Sequence, residues 1–142
     1  MRIFLDANVL FSAAKSDGAI RQLLQDLHFE NHTLVADEYV ATEARRNIAA
    51  KAGDEAVDYL QALLAQIEVS RVHYPAVAQG SVVWLPAKDR PVLMAAMALK
   101  CDALVTGDRT HFGSGYGKAF GGVKLYSPAQ LAQTVWLRPN AG

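Results

Sequence analysis

Four acidic side chains, Asp6, Glu43, Asp89 and Asp108, carry the clearest chemical signal in this chain. Asp6 closes the apolar run Ile3-Phe4-Leu5, and Asp108 follows Ala103-Leu104-Val105-Thr106-Gly107. Each therefore ends a segment that reads as a buried strand. Glu43 falls in the second turn of an expected helix, and Asp89 stands just before another. In a parallel α/β fold, ligands bind beyond the carboxyl ends of the strands, and the helix N-termini return to that same edge. Glu43 lies roughly 9 Å into its helix, at about 1.5 Å per residue, and so remains within reach. Carboxylates gathered at one point repel one another and stay ionised together only with a cation. Hard oxygen ligands of this kind select Mg²⁺ or Mn²⁺.

Each acid also has a plainer reading. Asp89 is in place to cap the helix that opens at Pro91. Glu43 has the usual fate of a solvated helix glutamate, and Asp108 suits a turn after Thr106-Gly107. Asp6 is hardest to dismiss, because a carboxylate ending a buried strand needs a partner.

The elements that must position these groups follow from periodicity and capping. Arg2 to Leu5 reads as a strand. Gly18 to Leu27 reads as a helix, with Ile20, Leu23, Leu24 and Leu27 in one stripe. Thr33-Leu34-Val35 is a second strand. Asp37 caps a helix running to about Ala50, with Val40, Ala44 and Ile48 facing inward. Gly53-Asp54 opens another helix, where Val57, Leu60, Leu63 and Leu64 recur. Ile67 to Val72 is expected as a third strand, and Val82 to Leu85 as a brief extended piece. Pro91 to Lys100 is a largely apolar helix with proline in its first turn. Ala103 to Thr106 and Val123 to Tyr126 complete the strands. Ser127-Pro128-Ala129-Gln130 matches a capping box opening a last helix. The glycine-rich stretch Gly113 to Gly122 reads as a loop near the site. Strands alternating with helices predict a parallel sheet covered on both faces.

The chain's 142 residues suit one domain spanning 1–142, long enough to bury a core. Hydrophobic residues make up 51% of it, which predicts a globular chain. Lysine plus arginine equals aspartate plus glutamate at 14 each, so no net basic charge advertises nucleic acid. Charge segregated between a site and its rim leaves that partner open. Cys101 is the only cysteine and reads as a small buried thiol. The longest apolar stretch, Val92 to Leu99, falls well short of the about 20 residues that span a bilayer. A soluble, cytoplasmic protein is expected.

Together the motifs resemble those of the PIN domain, a nuclease family that includes the toxins of VapC-type toxin–antitoxin pairs. Phe4-Leu5-Asp6-Ala7-Asn8-Val9-Leu10 is similar to the family's first motif, and Thr42-Glu43 to its second. Asp89-Arg90-Pro91-Val92-Leu93 resembles the third and Leu104-Val105-Thr106-Gly107-Asp108 the fourth. Tyr126-Ser127-Pro128 resembles the usual opening of the last helix. The resemblance implies a three-layer α/β/α domain with a five-stranded parallel sheet in the order 3-2-1-4-5. It implies a metal-dependent ribonuclease that uses Mg²⁺ or Mn²⁺, and frequent homodimerisation. A small antitoxin protein is the partner it suggests. Asp6, Asp89 and Asp108 would ligate the metal directly or through water, and Glu43 would ligate or act through a bound water. Asn8 and Thr106 would support that shell. Lys88 stands where many relatives would carry another acid, which leaves the number of metal ions open.

A basic rim surrounds the acids in sequence. Arg45 and Arg46 follow Glu43, Lys88 and Arg90 bracket Asp89, and Arg109 follows Asp108. An acidic floor with a basic rim suits an RNA phosphate chain laid over metal. The same charges are equally placed to neutralise their acidic neighbours. His111 and Tyr116 can stack on a base or contact a phosphate, although a solvated loop histidine is the plainer reading. His28, His32 and His73 show no metal-ligand spacing. Trp84 and Trp136 read as packing residues, and Tyr39, Val40, Val57 and Leu60 as core rather than a partner surface.

Two rivals remain in view. A catalytically weak or inactive module of the same fold would bind RNA or protein only, but such a chain would be expected to lose acids, and all four positions are filled. A phosphoaspartate-type phosphotransfer domain would want a second acid two residues after Asp6, where Asn8 stands. A receiver-type version has Lys124 available, but its acidic pair, Asp37-Glu38, is in the wrong context.

Overall fold

The strand β1 (Arg2–Leu5) is the centre of the structure, with Ile3, Phe4 and Leu5 fully buried. The computed structural model describes residues 1–71 and 80–136. After β1 the chain runs through α1 (Ala7–Lys15), α2 (Ala19–Phe29), β2 (Thr33–Asp37), α3 (Glu38–Lys51), α4 (Asp54–Gln66) and β3 (Glu68–Ser70). It continues through α5 (Arg90–Ala98), β4 (Ala103–Val105), α6 (Arg109–Phe112), β5 (Ala119–Phe120), β6 (Val123–Tyr126) and α7 (Pro128–Trp136). The sheet order is β3-β2-β1-β4-β6-β5.

Helices flank this sheet in the three-layer arrangement expected. The parallel strands β3, β2, β1, β4 and β6 take the anticipated 3-2-1-4-5 order. The correction is a sixth strand: β5 pairs antiparallel with β6 at the edge. It arises inside the Gly113–Gly122 stretch, which is therefore not all loop. Gly121 and Gly122 have φ of 55° and 84°, a region glycine enters without a Cβ penalty, and they turn the chain back.

Local signals explain most elements. The Asp37 carboxylate accepts the Val40 amide at 3.0 Å and starts α3, and Val40, Ala44 and Ile48 are buried along one face. Ser127 and Gln130 exchange bonds of 3.1 Å in a reciprocal capping box. Trp84 stacks on Phe120 with ring centroids 4.8 Å apart and meets Phe112 edge-on, as a packing residue should. Trp136 is about half exposed and donates to Asp26 at 2.8 Å. Val40 and Leu60 are core, whereas Tyr39 is 39% exposed. Cys101 is buried, and burial pushes its thiol up to about 11.

One further expectation needs correction. Residues Val82 to Leu85 form turns rather than an extended piece, because the Leu85 amide bonds back to the Val82 carbonyl at 3.0 Å. The helix α1, which the sequence pattern does not separate from the first motif, begins directly at Asp6. The third strand spans Glu68–Ser70, and Val72 and His73 lie outside the described residues. Among the described residues, no helix is long and apolar enough to cross a membrane.

Candidate functional site

Strand register creates the first half of the site. Leu5 pairs with Val105 across β1 and β4, so the residues that follow, Asp6 and Thr106, emerge side by side. The Asp6 amide continues the ladder to the Val105 carbonyl at 3.1 Å. The Thr106 hydroxyl, fully buried, donates to Asp6 Oδ2 at 2.8 Å. Asn8, in the first turn of α1, donates to the same oxygen at 3.3 Å and to the Thr106 hydroxyl at 3.2 Å. Its own carbonyl accepts the Gly107 amide at 2.8 Å, which ties the β4 exit to α1. Asp6 Oδ1 accepts the Ala7 amide at 2.8 Å and caps α1. Tyr116 closes the arrangement from the far side, donating to the Thr106 carbonyl at 2.6 Å.

Asp6 is only 6% exposed, and burial is the main reason its carboxyl is pushed up to about 6. The bonds from Thr106 and Ala7 oppose that rise, while the negative charges of Glu43 and Asp89 add to it. A carboxylate held in place by several donors, yet electrostatically uncomfortable, is poised for a cation.

The second half comes from α5 and α6. Asp89 sits at the N-cap of α5, but its carboxylate makes no capping bond, so the plain capping role does not apply. Burial raises its pKa, countered by His111 and Lys88 and reinforced by Asp108. Asp108 does cap its own short helix, accepting the His111 amide on Oδ1 at 3.1 Å. Its Oδ2 lies 2.8 Å from His111 Nδ1, and Asp89 Oδ2 lies 3.0 Å from the same nitrogen.

One cleft of about 280 Å³ gathers Asp6, Glu43, Asp89 and Asp108 on its walls, with Asn8, Tyr39, Asn47, Lys51 and Lys88. Glu43 is exposed at its mouth. Asp89 Oδ2 is shielded from solvent and has no hydrogen-bond partner. An orphaned carboxylate oxygen beside Asp108 and His111, in a cleft that Asp6 and Glu43 also line, belongs to a donor set that fits a divalent cation.

The residues expected to meet RNA are placed less uniformly. Arg109 is exposed on α6, beside Asp108, and makes no ion pair among the described residues. Arg46 lines a neighbouring cleft with Arg71, Tyr39 and Glu43. Arg45 pairs with Glu38 at 3.2 Å. The Arg90 guanidinium turns back onto the carbonyls of Leu85 and Val83, at 2.9 and 3.3 Å. His111 lies between Asp89 and Asp108 rather than free in a loop. His32 receives the N-terminal ammonium at 2.9 Å, and His28 lines a groove formed with α4. Sequence reasoning missed the position of His111, along with Asn47 and Lys51 on the cleft wall. The spacing from Asp108 to His111 is one helical turn, a signal that needed residues 109–112 to be read as helix.

Comparison with known proteins agrees with this fold. The family model for the PIN domain matches residues 2–110. No curated protein matches the chain in sequence. Among solved structures, the VapBC2 complex of Rickettsia felis bound to a promoter DNA fragment aligns with TM-score 0.62 and 15% identity, covering 89% of this chain and 98% of that one. VapC20 of Mycobacterium tuberculosis, a toxin that cleaves the sarcin–ricin loop, aligns with TM-score 0.57 and 11% identity over 83% of this chain and 98% of its own. A toxin–antitoxin complex from Klebsiella pneumoniae gives 0.60 and 15%, over 85% and 94%. At these identities the likeness is one of fold.

Proposed function

The chain belongs to the PIN domain family, and from that premise we propose that it is a divalent-metal-dependent ribonuclease, the toxin of a VapC-type toxin–antitoxin pair. The observation that carries this reading is the convergence of Asp6, Glu43, Asp89 and Asp108 on one cleft, with an Asp89 oxygen left unpartnered. Asp6, Asp89 and Asp108 hold the ion, and Glu43 completes the site directly or through a water. When bound, Mg²⁺ or Mn²⁺ supplies an ionised water and neutralises charge on the phosphate oxygens.

The protein's own share is positioning. Thr106 and Asn8 fix the Asp6 carboxylate in a single orientation, and the Asp108 cap fixes the start of α6. Lys51 and Lys88 at the cleft wall offset part of the acidic charge for an approaching phosphodiester. Arg109 and Arg46 are the exposed cations best placed for the RNA chain on either side. An antitoxin partner is supported by the toxin–antitoxin complexes among the structural neighbours. A homodimer and a cytoplasmic location rest on the family alone.

Purified protein should cut single-stranded or structured RNA with Mg²⁺ or Mn²⁺ and stop on addition of EDTA. Cutting that persists in EDTA would sink the metal-dependent mechanism. RNA binding with no cutting under any divalent ion would instead favour a binding module.

A further inference from the structure

The contact among Asp89, Asp108 and His111, at the edge of the cleft, has an unusual property. His111 Nδ1 approaches Asp108 Oδ2 to 2.8 Å and Asp89 Oδ2 to 3.0 Å. Those are hydrogen-bond distances. Yet His111 Nδ1 and Asp89 Oδ2 are both shielded from solvent, and neither has a hydrogen-bond partner. The lengths are those of hydrogen bonds, yet no hydrogen bond runs along them.

A protonated histidine bridging two aspartates would aim its N–H at one of them, since such a bond is short and close to linear. Two facing buried atoms with no bond between them are unfavourable unless a third group joins them. Neighbouring ligands on a six-coordinate ion with bonds of about 2.1 Å sit about 3.0 Å apart, each well off the other's lone-pair axis. Short spacing with no hydrogen bond along it is what His111 Nδ1 shows toward both aspartates. Their ligand atoms lie within 4.8 Å of one another, as the first coordination sphere of one small cation requires.

We propose that His111 is a nitrogen ligand of the same ion held by Asp89 and Asp108, so that the centre is a mixed nitrogen–oxygen site selecting a first-row transition ion such as Mn²⁺ over Mg²⁺. This rests on the cleft being a metal centre, and it adds a residue and a metal preference that four acids alone do not supply. Mg²⁺ is bound chiefly through oxygen and gains little from an imidazole, whereas imidazole suits the transition ions. Ligation uses neutral His111 with its Nδ1 lone pair free. The turn that carries it is already fixed by Asp108 Oδ1 on the His111 amide, so the ring is presented without further ordering of the backbone.

The test uses the full chain stripped of metal and loaded with Mn²⁺ or Mg²⁺ alone. Pulsed electron paramagnetic resonance of the Mn²⁺-loaded wild type should show coupling to a ¹⁴N nucleus, and His111→Ala should abolish it. By calorimetry, His111→Ala should weaken Mn²⁺ binding by about tenfold or more and Mg²⁺ binding by clearly less. His111→Asn serves as a second variant if alanine disturbs the turn. Absence of nitrogen coupling in the wild type overturns the proposal, as does a substitution that leaves both affinities unchanged or tightens both. The outcome is separable from the ribonuclease reading. Nitrogen-coupled Mn²⁺ without RNA cleavage keeps this inference and removes the activity. Metal-dependent cleavage without nitrogen coupling does the reverse.

Discussion

The Thr106 hydroxyl lies between strand and site, donating to Asp6 Oδ2 over 2.8 Å while accepting the Asp108 amide at 3.2 Å. One buried side chain thus sets the positions of two acids from opposite ends of the chain. Thr106→Val keeps the volume and removes both of these bonds and the one the hydroxyl accepts from Asn8 at 3.2 Å. Leaving a buried carboxylate short of a donor should destabilise the protein by about 1–3 kcal/mol. It should also push the Asp6 carboxyl further above about 6, because that bond does most to oppose the effect of burial. Denaturant unfolding and a carboxyl-carbon NMR titration measure the two effects. Thr106→Ser, which keeps the hydroxyl, should restore both.

The raised Asp6 pKa fixes the direction of a pH effect in metal-free protein. The unfolded chain loses this proton near pH about 3.9, the folded chain near about 6. Between those values the folded state holds more protons, so stability falls as pH rises from about 4 to about 6. This group alone accounts for on the order of 2–3 kcal/mol. Asp6→Asn should remove the dependence, making the metal-free variant more stable than wild type above pH about 6 and indistinguishable from it below pH about 4. Equal pH profiles for the two proteins would show that Asp6 is more solvated than its burial suggests.

What the sequence revealed and what it hid follow from how local the signals are. The α3 start was legible because Asp37 caps it, and the α7 start because Ser127 and Gln130 cap each other. The strand ends that carry Asp6 and Asp108 were legible because apolar runs stop there. By contrast, α1 is hidden because its apolar residues continue the β1 run and its cap is Asp6 itself. Val82 and Leu85 are buried three residues apart in a turn held by Arg90, a side-chain contact no local pattern encodes. The place of His111 depended on a four-residue helix too short to announce itself.

Arg90 and Arg109 flank the same acids yet should behave differently. Arg90 donates to the carbonyls of Leu85 and Val83, so Arg90→Ala should lower stability by about 1–3 kcal/mol. If RNA runs past α6, Arg109→Ala should leave stability within about 0.5 kcal/mol and flatten the salt dependence of RNA affinity by about 0.7 in slope. Mg²⁺ affinity should not fall, because an arginine beside an acidic site opposes the cation. Thermal melts and RNA affinity across a salt series separate the two roles. An unchanged salt slope for Arg109→Ala would move the RNA path toward Arg46 and Arg71.

Asp89 and Asp108 offer the sharpest division between structure and chemistry. Asp108 Oδ1 caps α6, whereas the Asp89 carboxylate caps nothing and leaves Oδ2 unpartnered. Without metal, Asp108→Ala should therefore cost about 1 kcal/mol, and Asp108→Asn much less, since asparagine caps nearly as well. Asp89→Asn should be neutral or stabilising, because it removes a charge that burial disfavours and that repels Asp108. With metal present, Asp89→Asn and Asp108→Asn should both lose RNA cleavage and most of the stabilisation that Mg²⁺ or Mn²⁺ gives the wild type. That stabilisation is about 2.7 kcal/mol at a hundred times Kd. Melting curves with and without metal, paired with cleavage of one RNA, test this directly. An Asp89→Asn protein that keeps its full metal-induced shift would place the ion away from Asp89 and leave Asp6 and Glu43 to hold it.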